Sequence, residues 1–183
     1  GEVRILDAID IHSDNIRRAQ AGGITTVNIM PGSGHLMGGQ TAYLKLRHGR
    51  TINDLLYCDD PLTGICGGLK MANGTNPRGA PPWPGTRAKA AALVRERFLK
   101  AVEYRRKLEL AAADSTKRPD RDLEMEVLVQ VLEGKRVVHH HTHRYDDILT
   151  VLRLREEFGF RLVLQHVSEG WRVAKEIAAA GVP

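Results

Sequence analysis

An α/β fold of parallel strands with outer helices is what the sequence predicts. The main observation is a repeated order of helix, glycine stop and β-branched strand. Two others agree. The 183 residues are 42% hydrophobic, 27% charged and 5% aromatic, the balance of an ordinary globular domain with a sizeable core. No low-complexity segment or linker divides them, so they read as one domain or part of one.

The repeat is visible four times. Ile16 to Ala21 is short and helix-compatible, Gly22-Gly23 terminates it, and Ile24 to Met30 follows as a β-branched run. Leu123 to Leu132 leads through Gly134 to Arg136-Val137-Val138, and Asp147 to Phe158 leads through Gly159 to the strand Arg161 to Gln165. A last copy runs from Gly170 through Ile177 to Ala180 and Gly181, with its strand expected beyond Pro183. Parallel neighbours need such helix-length connections to return to the same edge. Thr41 to Leu46 and Ile65 to Met71 are further strand candidates, bracketing a short helical piece at Ile52 to Tyr57. A turn-rich loop with four prolines, Asn73 to Gly85, precedes a long helix from about Thr86 to Leu110.

That helix explains the charge. The chain carries a net +5 and a pI near 9.4, which raises the question of an acidic or nucleic-acid partner. Between Arg87 and Glu109 the helix holds eight basic residues against three acidic ones, matching the excess. Ala91, Val94, Phe98, Ala101, Val102 and Leu108 recur at helical spacing as the expected inward stripe, leaving the cations on a solvated face. No nucleic-acid motif or aromatic interleaving accompanies them, so no nucleic-acid partner is expected; a basic nucleic-acid-binding domain is the last-ranked reading. No run of about 18 apolar residues occurs, so no membrane span is expected. The two cysteines, Cys58 and Cys66, are too few for a disulfide scaffold and suggest a reducing compartment; with no leader visible, the expected location is cytoplasmic.

The stretch most suited to chemistry is Val137 to Asp147, which contains His139, His140, His141 and His143. Side chains alternate along a strand, so His139, His141 and His143 are expected on one face and His140 on the other. The carboxyl ends of parallel strands hold active sites, and neutral imidazole is the commonest protein ligand for zinc-like metals. His166 closes the next strand, which would bring it within about 5 Å of His141 across one strand spacing. Strand-end histidines that merely bond loop carbonyls are the structural alternative. Asp146 and Asp147 read first as a helix N-cap. The glycine-rich loop Gly32 to Gly39 reads as a tight rim loop rather than a phosphate cradle, and Ser33 has no base at suitable spacing.

These pieces together resemble a family. His141-Thr142-His143-Arg144-Tyr145-Asp146-Asp147-Ile148-Leu149-Thr150 followed by Leu162 to His166 looks like the metal-dependent amidohydrolases, in the branch near imidazolonepropionases and Xaa-Pro dipeptidases. Ala21 to Val27 with Pro31 to Gln40, and Gly68 to Pro77, resemble that branch's second-strand and fourth-strand segments. The resemblance implies a (β/α)8 barrel that hydrolyses an amide, peptide or cyclic C–N bond with metal-activated hydroxide. A closed barrel takes roughly 200 residues at least, so residues 1–183 are expected to form an incomplete barrel domain, about strands two to six. The strand-one His-x-His and strand-eight Asp have no counterpart, His12 and His35 being isolated; alone, such a piece is expected to be inactive.

Residue by residue, the resemblance makes His141 and His166 metal ligands and His166 and His143 catalytic candidates. Lys70 falls where some relatives carry a carboxylated lysine bridging two metals, an ordinary rim salt-bridge partner being its other reading. His35 and Arg144 are the substrate-binding candidates, and Thr75 and Arg78 depart from the family's usual residues. The implied cofactor is Zn²⁺ or another divalent metal, one or two ions, and the implied partner a small-molecule amide or dipeptide; a homo-oligomer is compatible. A non-catalytic barrel remnant with structural histidines is the alternative.

Overall fold

A computed structural model describes residues 1–61 and 63–183. Helix α1 (Asp14–Ala21) leads into strand β1 (Thr26–Ile29), then β2 (Met37–Gln40), β3 (Ala42–Lys45), α2 (Ile52–Leu55) and β4 (Leu69–Ala72). Helices α3 (Arg87–Ala113) and α4 (Leu123–Leu132), strand β5 (Val138–Thr142), helix α5 (Tyr145–Phe158), strand β6 (Leu162–His166) and helix α6 (Ala174–Ala179) follow. The main sheet has the order β2-β4-β5-β6, in which β4, β5 and β6 are parallel. Helices α1, α4 and α5 end at the anticipated glycines, whereas α3 runs three residues past Leu110; at the end of α5, Gly159 takes the left-handed conformation (φ 73°) that glycine reaches without a Cβ penalty.

The all-parallel expectation does not hold at the other edge. β2 runs antiparallel to β4, and β1 pairs antiparallel with β3 in a separate two-stranded sheet. β2 begins within the segment Gly32 to Gly39 read as a rim loop, because its glycines hide the strand pattern. Gly39 has φ +133°, and a Cβ there would lie 2.5 Å from the Val3 carbonyl oxygen. The close approach lets Gln40 N donate to that oxygen at 2.7 Å.

The main core lies between the sheet and α3, α4 and α5, and includes Leu69, Met71, Phe98, Leu128, Val138, Ile148 and Phe160. Phe98 stacks between Phe158 (4.9 Å) and Phe160 (5.2 Å). The buried stripe of α3 keeps the expected Val94, Phe98 and Ala101 but takes in Ala90 and Tyr104, while Val102 is 37% exposed. Packing against α4 decides the difference, since it turns Tyr104 inward, where its hydroxyl accepts from Asp122 N. On the solvated face the cations of α3 are laced to carboxylates, including Arg95 to Glu157 (2.7 Å) and Lys100 to Glu96 (2.6 Å).

A second cluster, Ala42, Leu44, Leu55, Leu56 and Cys66, sits under β3. Contrary to the expectation of reduced thiols, Cys58 and Cys66 form a disulfide. The backbone of Tyr43 brings them together, its N donating to Cys66 O (2.8 Å) and its O accepting from Tyr57 N (2.9 Å). The cysteines therefore give no ground for a reducing compartment. Among the described residues, no helix is long and apolar enough to cross a membrane.

Candidate functional site

The parallel register sets His141 opposite Gln165 and Thr142 opposite His166. The carboxyl ends of β5 and β6 thereby gather three imidazoles. His141 lies 4.6 Å from both His143 and His166, centroid to centroid, and His143 stacks on His166 at 5.1 Å. His143 lies one residue past β5, so its position owes more to the loop than to strand alternation.

The backbone at this corner is strained. His166 and Val167 both have left-handed φ (71° and 52°), which for a β-branched residue is uncommon and costs about 1–3 kcal/mol. Neighbouring bonds hold the turn. Val167 N donates to Thr142 O (3.0 Å), Glu169 N to His143 O (2.9 Å), and Tyr145 N to Glu169 Oε2 (3.0 Å). Ser168 Oγ lies 2.7 Å from His143 Nδ1, pinning that ring to the loop after β6.

His141 is buried, and its Nδ1 has no hydrogen-bond partner among the described residues. Burial, then the neighbouring His166 and His143, push its pKa down to about 4, so the ring is neutral and its lone pair available at pH 7. Burial likewise lowers His166.

Lys70 pairs in register with His139 on the adjacent strand and shares its face. Its Nζ donates to Ser33 Oγ (2.9 Å), no carboxylate pairs with it among the described residues, and burial lowers its pKa. The rim salt-bridge reading therefore does not apply. The structure also supplies what the spacing around Ser33 concealed, a basic group within reach of its hydroxyl.

Two functional neighbours escaped the sequence reading. Asn28 Nδ2 (3.1 Å) and the Tyr43 hydroxyl (3.0 Å) both approach His139 Nε2. Asn28 is the one residue of β1 that is not β-branched, the signal the sequence carries for it.

Other candidates lie elsewhere. His35 is exposed and lines a separate cavity of about 500 Å³ with Asn76, Trp83 and Arg97. Arg144 is the residue before α5 and its guanidinium pairs with Asp146 (2.7 Å). Asp146 and Asp147 lie in the first turn of α5 rather than at its N-cap; Asp147 is buried and accepts both of its bonds from Arg87 Nε (3.1 and 3.0 Å).

His140 faces away from the cluster, fully buried, its Nδ1 3.0 Å from His141 O. Burial drives its pKa from the ordinary 6.5 to about 3. Below pH 6.5 the unfolded chain takes up a proton that the folded chain refuses. The stability this ring contributes is therefore complete above pH 6.5 and lost as pH falls toward 3. Urea unfolding at pH 7 and 4.5 should show a loss of about 2–3 kcal/mol from this group, and His140→Met should flatten that part of the slope.

The implied metal is tested by these donors. Among the described residues, no group of three or more His, Cys, Asp or Glu side chains is placed to hold an ion. His141, with its orphaned buried nitrogen, and the adjacent His166 fit as two donors of a shell that other groups complete.

No family model matches the chain, and no curated protein does. Among solved structures it is similar to an amidohydrolase from Thermotoga maritima MSB8, with a TM-score of 0.90 and 37% identity over 100% of this chain. The match covers 47% of that chain, so the present sequence spans about half its length. The close likeness to an amidohydrolase agrees with the mixed α/β fold and its parallel strands.

Proposed function

We propose that the chain contributes part of the (β/α)8 barrel of a metal-dependent amidohydrolase acting on an amide, peptide or cyclic C–N bond of a small molecule. The observation that carries this reading is the convergence of His141, His143 and His166 at the carboxyl ends of two adjacent parallel strands, beside a buried lysine on the next. His141 and His166 hold the ion. A bound Zn²⁺ or similar metal supplies a Lewis acid that polarises the substrate carbonyl and activates water.

The remaining roles belong to the chain itself. His143, fixed through its Nδ1 contact with Ser168, faces the reacting group and moves a proton at its Nε2. The Lys70 amine, whose pKa burial lowers, adds carbon dioxide and loses a proton to become an anionic carbamate, a better neighbour for a cation than ammonium. The strained turn at His166 holds its ring in place before substrate arrives. Arg144, one residue past His143 and paired with Asp146, and His35, which lines its own cavity, remain the substrate-binding candidates.

The test is hydrolysis of a panel of dipeptides, N-acyl amino acids and cyclic amides by protein expressed from the whole reading frame. Chelation should abolish activity and a divalent metal restore it. A second reading rests on the Lys70–Ser33 contact, which could serve a serine nucleophile with a lysine base. Hydrolysis indifferent to chelation and lost in Ser33→Ala would favour it and overturn the metal reading.

A further inference from the structure

At the amino-terminal ends of β4 and β5, opposite the strand ends that carry His141 and His166, a guanidinium is buried with no counter-ion among the described residues. Arg136 is 6% exposed. Its Nε donates to Gln130 Oε1 (2.6 Å), its Nη1 to Gly67 O (3.0 Å) and its Nη2 to Gln40 Oε1 (2.9 Å), all neutral acceptors. Among the described residues no carboxylate pairs with it, and the nearby Arg4 repels it. Burying a charge without an opposite one is costly, and burial lowers this guanidinium's pKa to about 10.

The cost has an evident outlet. Arg136 and Arg4 line a cavity of about 520 Å³ between the β2–β3 segment, α4 and the disulfide-closed loop, with Gln40, Thr41, Thr63 and Gln130 among the other walls. That volume is in the range of small-ligand sites. Among the described residues two carboxylates reach the lining, Glu2 and Glu126, against three guanidinium groups, Arg4, Arg121 and Arg136, and Glu126 is engaged with Arg121 (2.8 Å). Arg4 bonds the Pro61 carbonyl (2.9 Å), again a neutral group. An arginine has five N–H donors, and three hydrogen bonds leave two on Arg136 for a ligand.

We propose that this cavity binds a small oxyanion, a phosphate or carboxylate group, between the guanidinium groups of Arg136 and Arg4. The planar fork of arginine suits either group, and the buried setting strengthens the charge-assisted bonds. The site is separate from the histidine cluster and stands or falls independently of the hydrolase reading.

Calorimetric titration of the full-length protein with inorganic phosphate, and separately with acetate, at ionic strength held constant with sodium chloride, tests it. Saturable binding of one equivalent of either anion is expected, the stronger of the two identifying the group. Arg4→Gln should weaken that binding by about tenfold or more, the loss of one charge-assisted contact. Arg136→Lys should weaken it too, and Arg4→Gln decides alone if the buried substitution does not fold. His141→Ala should bind the anion as the wild type does. No saturable binding of either anion, or binding that Arg4→Gln leaves unchanged, overturns the proposal, as does binding lost in His141→Ala.

Discussion

Truncation of Phe98 to alanine should lower the unfolding free energy by about 3–5 kcal/mol. The ring is fully buried and stacked on both sides, so its removal forfeits aromatic contacts and opens a cavity that α3 cannot collapse to fill. Urea denaturation of Phe98→Ala against wild type measures the loss. Leu99, its neighbour on the exposed face, is the control: Leu99→Ala should change stability by no more than about 0.5 kcal/mol. Equal effects at the two positions would show that the helix does not present this face to the sheet.

Replacing His141 or His166 by alanine should lower kcat/KM by about a thousandfold or more, the scale of losing a Lewis acid worth several kcal/mol to the transition state. The two single variants should be almost as impaired as the double variant, because donors to one ion act as a unit. Additive losses would place the rings in separate roles. Circular dichroism should remain that of the wild type, since both rings sit at strand ends rather than in the main core.

The parts of the fold that were legible were those written locally. Gly22, Gly134, Gly159 and Gly181 follow helices as expected, and the alternation of His139, His140 and His141 correctly divided the two faces of β5. What was hidden depends on distant neighbours. Nothing near Gly39 announces the Val3 backbone that requires it, and the spacing of Cys58 and Cys66 does not reveal that Tyr43 bridges them. Val102 fits the helical period, yet its exposure follows from which side α4 packs. The same holds within the site. His141 and His166 were found because two adjacent strands end in histidine, whereas Asn28 and Tyr43 reach His139 from the separate β1–β3 pair. Lys70 was placed by resemblance, and only the fold shows that it is buried beside Ser33.

Metal content tests the central claim most directly. Full-length protein purified without chelator and exhaustively dialysed should retain about one or two equivalents of zinc or another divalent ion by plasma mass spectrometry, and the His141→Ala, His166→Ala double variant should retain less than about a tenth of that. A folded wild-type protein that holds no metal after incubation with zinc, or a double variant that keeps the full complement, would contradict it.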